Sequence, residues 1–295
     1  MPHLVVKSIL FAVSTLAYDV PNQMNQDRTM SYETIETATE AGITTITLNR
    51  PDRLNAWTYQ MGDELQSALK AGNTEDEVEA FVVTGAGRGF CAGADVKDLF
   101  QAQAESGEVR HGDSETGNWV NLVRNSKPIV AAVNGVAIGI GLTQILPMDF
   151  ILVSSEAKLS CRFIKMGLVP ELGSSHFLVM RCGFGLASEL MLSGKTIDAD
   201  EAIRIGLVDR VATPDNLLNE ARAVAKSMGE NPQVALGMVK SLITQNMAES
   251  DLAQVQQREL DSLMQCYDLA EHKEAIAAFL EKREPDFKKA RQGSS

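Results

Sequence analysis

The chain carries 295 residues, 44% of them hydrophobic, enough to bury a substantial core without metals or disulfides, in up to two domains or in one elaborated α/β domain. Lys and Arg number 27 against 39 Asp and Glu, a formal net charge of -12, which disfavours a non-specific nucleic-acid or anionic-membrane binder. Cys91, Cys161, Cys182 and Cys266 lack metal spacing and read as reduced thiols, and the four histidines never pair at ligand spacing, so no metal is expected and a zinc enzyme or histidine-based hydrolase is disfavoured.

Residues 1–30 differ in character from the rest. Lys7 precedes the apolar run Ile9 to Ala17, which faintly resembles a secretory signal but is too short for a comfortable membrane span. They are read as a leader or disordered arm. From Ser31 to Leu48, Ile and Thr alternate around Gly42, which predicts a hairpin, and Pro51 stops it. Trp57, Met61, Leu65, Ala68 and Leu69 fall on one helical stripe. Phe81 to Thr84 reads as a strand, and the polar stretch Gln101 to Asn118 as a mobile loop or broken helix suited to a lid. Pro128 to Val133 predicts a buried strand, Asn134-Gly135 a turn, Val136 to Leu142 a small-residue segment entering a helix, and Asp149 to Val153 another strand, with a short one near Leu159. Strands alternating with helical patterns imply an α/β core over 31–198. Beyond Thr196 the pattern turns helical, with candidates 199–205, 216–227, 232–245, 251–265 and 271–282, and residues 199–295 read as a packing or assembly region.

Several segments invite chemistry. The glycines after Phe81 to Thr84 do not form a dinucleotide fingerprint, because Phe90 to Asp95 intervenes before any helix, and no Gly-Lys-Ser/Thr phosphate loop exists. Asn134 to Asp149 combines small residues with a helix start, which suits either an oxyanion site built from free N–H groups or plain strand-to-helix packing. Glu171 stands among apolar and turn residues, where desolvation would favour a base; a Glu after Pro170 also simply begins helices. Asp95 suggests a helix cap, His176 a packed helix residue, and Arg53 and Lys282 solvated surface groups.

Taken together, the stretches 49–56, 89–96, 134–139 and 278–287 resemble the crotonase, or enoyl-CoA hydratase/isomerase, superfamily over roughly Ser31 to Phe287. That resemblance implies a spiral of repeated ββα units followed by a helical C-terminal trimerisation region, and hence a homotrimer or dimer of trimers. It implies an acyl-CoA thioester substrate that itself carries the coenzyme A, with no separate cofactor. It makes the N–H groups of Ala92 and Ile140 the oxyanion donors, and places Arg53, Leu54, Ala94, Asp95 and Val96 along the coenzyme, with Phe279 and Lys282 reaching the nucleotide, often across a subunit boundary. The family's two hydratase glutamates align with Thr143 and Phe163, so both are missing. Glu171 instead matches the acid/base position of Δ3,Δ2-enoyl-CoA isomerases, and the chain is read as such an isomerase, with a single-glutamate hydratase, another enolate-forming lyase or a non-catalytic acyl-CoA binder as alternatives. The default location is the cytoplasm, with an organelle matrix as the alternative in a eukaryote.

Overall fold

A computed structural model describes residues 32–97 and 118–293. The leader expected over residues 1–30, and the lid-like loop expected from Gln101 apart from Asn118, lie outside the described residues.

The predicted hairpin forms: β1 (Ile35–Glu40) pairs antiparallel with β2 (Ile43–Leu48), Ala41 and Gly42 making the turn. The Thr58 hydroxyl then accepts the Met61 N–H at 3.1 Å and caps α1 (Tyr59–Thr74), whose buried stripe is Met61, Leu65, Ala68 and Leu69. Strand pairs follow: β3 (Ala80–Gly85) with β4 (Gly89–Cys91), β5 (Ile129–Val133) with β6 (Val136–Ile138), and β7 (Phe150–Ser154) with β8 (Lys158–Ser160). Within each pair the first strand enters one sheet and the second strand another. The six-stranded sheet has the order β1-β2-β3-β5-β7-β10, ending on β10 (Arg210–Ala212); the four-stranded sheet has the order β4-β6-β8-β9, ending on β9 (Thr196–Asp198). This is the expected α/β spiral of repeated units.

The central strands β3, β5 and β7 of the larger sheet are covered on both faces, which explains why they read as continuous apolar runs. Ile46, Phe81, Val83, Ile129, Ala131 and Val153 point into the main core, while the alternate residues, Ala80, Val82, Val130, Ala132 and Leu152 among them, meet Leu217, Ala221 and Ala225 of α6 (Leu217–Gly229). The helices that precede it are α2 (Trp119–Asn125), α3 (Ile140–Thr143), α4 (Ser174–Ser193) and α5 (Ala199–Arg204). The C-terminal helices are α7 (Gln233–Asn246), α8 (Leu252–Cys266), α9 (Ala270–Glu281) and α10 (Phe287–Gln292). The expected helix starting at Asp251 is there: its carboxylate accepts the Ala253 N–H at 2.9 Å.

A buried ion cluster fastens α7 to the core. Lys240 Nζ lies 2.7 Å from Asp149 Oδ2 and donates to the Val123 carbonyl at 3.0 Å; Arg124 reaches Asp149 Oδ1 at 2.9 Å, and the Ile129 N–H donates to Asp149 Oδ2 at 2.8 Å. Burial outweighs the attraction of Asp149 and pushes the Lys240 ammonium below its ordinary value. None of the described helices is long and apolar enough to cross a membrane.

Candidate active site

The topology brings distant sequence segments together. β4, β6 and β8 are parallel neighbours, so the chain leaves their C-terminal ends side by side, with strands about 4.8 Å apart. After β4 comes Ala92 to Asp95, after β6 come Gly139 and Ile140, and after β8 comes a 3-10 turn (Arg162–Met166) leading to Glu171.

The segments after β4 and β6 press against each other. A side chain on Gly141 would collide with the Cys91 carbonyl oxygen, so only glycine permits this approach. Gly139 is held at φ 55 and ψ -121, a conformation closed to residues with a side chain, and it turns the chain so that α3 begins at Ile140. The Ile140 N–H, at the first position of α3, donates to no described residue.

On the facing segment the two alanines differ. Ala92 N–H donates to the Leu54 carbonyl at 3.0 Å, so the donor expected there is already spent, and the assignment of Ala92 is corrected on that ground. Ala94 N–H has no such bond. The bridge between Trp57 and Ala94 uses the residues either side, Trp57 N–H to Gly93 O and Asp95 N–H to Trp57 O, both at 2.8 Å, and leaves the Ala94 N–H free. Alternation along this extended stretch does not separate the two, because residues two apart share a face; the pairing partner alone decides which N–H is used.

Glu171 follows the 3-10 turn after β8. Leu172 is left-handed at φ 56 and Gly173 at φ 69, and the Ser174 N–H donates to the Glu171 carbonyl at 3.0 Å, so the acid is presented on a tight, strained turn ahead of α4. Its carboxylate makes no hydrogen bond or ion pair with a described residue. As a residue it is exposed, yet burial alone raises its carboxyl above the ordinary value of 4.5. The two observations fit a group that can be reached from outside while the surrounding chain displaces much of its water. Among described carboxyl groups with a marked shift, Glu171 alone moves upward; Glu64, Glu249 and Glu274 move down under their hydrogen bonds.

Helix α2 ties the two halves of this arrangement. Trp119 Nε1 donates to the Gln144 carbonyl just beyond α3 at 2.8 Å, and Val120 lies 3.4 Å from where a side chain on Gly173 would begin. Phe163 packs against the main core at the edge of Gly139, and Leu142 is fully committed to the core. Thr143 Oγ1, Gln144 Nε2 and Ser174 Oγ are buried without a partner in the same neighbourhood.

The remaining predicted residues fall in two groups. Arg53 is exposed on a 3-10 turn (Pro51–Arg53), Leu54 follows it at φ 51, and Val96 is 57% exposed, all beside the Ala92 to Asp95 segment. The Asp95 carboxylate is used internally: Oδ2 pairs with Arg50 at 3.0 Å and Oδ1 accepts the Lys97 N–H at 3.2 Å. Phe279, 81% exposed on α9, and Lys282, its left-handed cap, have their backbone bonds within α9 and the turn after it, and no hydrogen bond connects them to the Ala94 segment of the same chain.

A twin-sheet spiral of paired strands, with free main-chain donors after β4 and β6 and one desolvated carboxyl on the segment that follows β8, defines the class of protein. The sequence profile described as Enoyl-CoA hydratase/isomerase matches residues 38–291, and the chain belongs to that family. It is 36% identical over 259 residues to a Rhizobium meliloti protein named "Probable enoyl-CoA hydratase", covering 88% of this chain and 99% of that one. It is 34% identical over 253 residues to the 1,2-epoxyphenylacetyl-CoA isomerase of Escherichia coli, covering 84% and 95%. The crystal structure of an enoyl-CoA hydratase from Bacillus anthracis superposes with a TM-score of 0.80 at 30% identity, over 87% of this chain and 99% of that one.

Proposed function

We propose that this chain is an acyl-CoA enzyme that moves a double bond through a dienolate, a Δ3,Δ2-enoyl-CoA isomerase. The observation that carries the reading is Glu171: one desolvated, unpartnered carboxyl on the segment that follows β8, the neighbour of the strand that leads into the free N–H of Ile140, while Thr143 and Phe163 occupy the positions where a two-acid hydratase would need glutamates. The Glu171 carboxylate takes a proton from C2 of a 3-enoyl thioester, and the electron pair moves onto the thioester oxygen. The two N–H groups hold that oxygen as charge develops. Protonated Glu171 then returns the proton at C4, and the product is the conjugated 2-enoyl thioester. A raised carboxyl suits both halves, since a base nearer the working pH accepts and returns a proton with less cost.

Arg53, Leu54 and Val96 are assigned to the coenzyme. Phe279 and Lys282 are assigned to the nucleotide of a neighbouring subunit in a homotrimer, a reading supported by the exposed apolar residues Leu252, Leu263, Met264, Phe279 and Leu280 on α8 and α9. Hydration by a single glutamate is the second reading, favoured by the hydratase names of relatives such as the Rhizobium protein. Purified protein given 3-enoyl-CoA and 2-enoyl-CoA, with migration and water addition followed separately, decides between them. Fast migration with little hydration supports the isomerase; efficient hydration overturns it in favour of the second reading.

A further inference from the structure

We infer that Arg50 is a positioning residue that sets the direction of the Ala94 N–H through Asp95. The inference rests on the reading that this N–H receives the thioester oxygen.

The turn 50–57 acts as a template for the segment 92–95. Leu54 and Asn55 are both left-handed, at φ 51 and φ 54, a conformation that costs free energy for residues with side chains and persists only where surrounding bonds over-determine it. Those bonds are present. Asn55, fully buried, accepts the Arg50 N–H at 2.8 Å and donates to the carbonyls of Ala86 at 2.9 Å and Gly89 at 2.8 Å. The strained turn then offers the Leu54 carbonyl to Ala92 N–H and both main-chain groups of Trp57 to Gly93 and Asp95. Ala94 is therefore bracketed on each side, and its own N–H is left pointing away from the bridge.

Arg50 closes this bracket. One guanidinium nitrogen donates to the Ala56 carbonyl at 2.6 Å, and another reaches Asp95 Oδ2 at 3.0 Å, with side-chain exposures of 21% for Arg50 and 11% for Asp95. The planar fork spans the template and the segment it holds, which a single ammonium cannot do with the same geometry. Removing it frees Asp95 to swing and the Ala94 N–H to tilt. Misplacement of a reacting group by about 1 Å costs roughly a hundredfold in rate.

The test uses a saturated acyl-CoA labelled at the thioester carbonyl, bound to the full-length protein, with its carbonyl stretch recorded by infrared difference spectroscopy. Wild type is expected to lower the stretching frequency. Arg50→Met is expected to lose most of that shift, and Arg50→Lys to keep part of it. For the reacting 3-enoyl-CoA, kcat should fall by about ten- to a hundredfold in Arg50→Met while KM stays within about threefold. A folded Arg50→Met with the full shift overturns the inference and leaves the oxyanion reading standing. Should Arg50→Met not fold, Asp95→Asn, of the same shape, takes its place: partial loss of the shift supports the inference and full retention overturns it. No shift in wild type overturns the oxyanion reading and the inference together.

Discussion

The molecule contains two polar regions built on opposite terms, and they meet at α2. Around Asp149 both carboxylate oxygens are used, and Lys240 and Arg124 each find acceptors, so a costly burial of charge is compensated in full. Around Ile140 and Glu171, donors and acceptors are left over: free N–H groups on Ala94 and Ile140, an unpartnered carboxylate, and unpartnered side-chain atoms on Thr143, Gln144 and Ser174. Buried polar groups are nearly always paired in folded proteins, and three of the four buried side-chain atoms without a partner among the described residues, those of Thr143, Gln144 and Ser174, lie here, the fourth being Glu271 Oε2 on α9. Charge is common to both regions. Satisfaction is what separates a structural staple from a site.

The sharpest way to break this contrast is to remove one carboxylate from each region. Glu171→Gln should lower kcat by about a hundredfold or more, the usual worth of a positioned acid/base, without destabilising the fold. The sign of its stability effect follows from the raised carboxyl. The folded state holds the Glu171 proton more tightly than the unfolded chain, so this group lowers stability as pH rises from about 4.5 through its folded value. Glu171→Gln should therefore melt higher than wild type at neutral pH, and the difference should vanish in acid. The kcat/KM of wild type should rise with pH through the same window, because the proposed reaction uses the carboxylate as its base. A lower melting temperature for Glu171→Gln at neutral pH would mean that the carboxylate has a stabilising partner, against the unpaired state described above.

Asp149→Ala should behave in the opposite way. It strands Lys240 and Arg124 in the interior and is expected to cost about 3–5 kcal/mol in urea unfolding, while kcat per folded molecule is unchanged. A large loss of kcat at full folding would show that the staple and the site are one unit.

Much of this was legible in the sequence, and for identifiable reasons. The β1–β2 hairpin, the α1 stripe and the helix from Asp251 depend on local patterns, and local patterns are what a sequence displays. Glu171 stood out because a carboxyl among apolar and turn residues has few ways to be solvated. The broken helix α4 was missed beyond its first turn, since Gly183 and Gly185 interrupt the periodicity and many of its apolar residues, Phe184 and Leu192 among them, face outward. The choice between Ala92 and Ala94 was also beyond reach. It depends on which of two alternating N–H groups meets Leu54, a contact made across 38 positions of chain by a turn whose left-handed Leu54 and Asn55 carry no glycine to announce it. The Lys240 staple was invisible for a similar reason, because its partners come from α2, the strand entry at Asp149 and α7.

Gly141→Ala tests the seam between the segments after β4 and β6. Its added carbon meets the Cys91 carbonyl, which is backbone and cannot rotate away, so the two free donors must separate. Overpacking of this kind costs about 1–3 kcal/mol. The expected loss of kcat is about a hundredfold, larger than the fall in stability alone would suggest. Equal activity in a folded Gly141→Ala protein would show that the spacing of Ala94 and Ile140 does not matter to the reaction.

The smallest effect should come from Thr143→Val, and its sign carries the information. The Thr143 hydroxyl is wholly buried and unpartnered, so the folded state bears the cost of desolvating it, about 1–3 kcal/mol, without a compensating bond. Valine keeps the shape and removes that cost. Stability should therefore hold or rise by up to about 1 kcal/mol, and kcat should not change, because the proposed proton path runs through Glu171 alone. Thr143→Ser separates the hydroxyl from the methyl group: it keeps the polar atom and opens a small cavity, so it should be the less stable of the two. If Thr143→Val instead unfolds more easily than wild type by 1 kcal/mol or more, the hydroxyl has found a partner, such as an internal water. Thr143 then belongs with Asp149 among the satisfied groups, and the unpaired region shrinks to the residues that face the substrate.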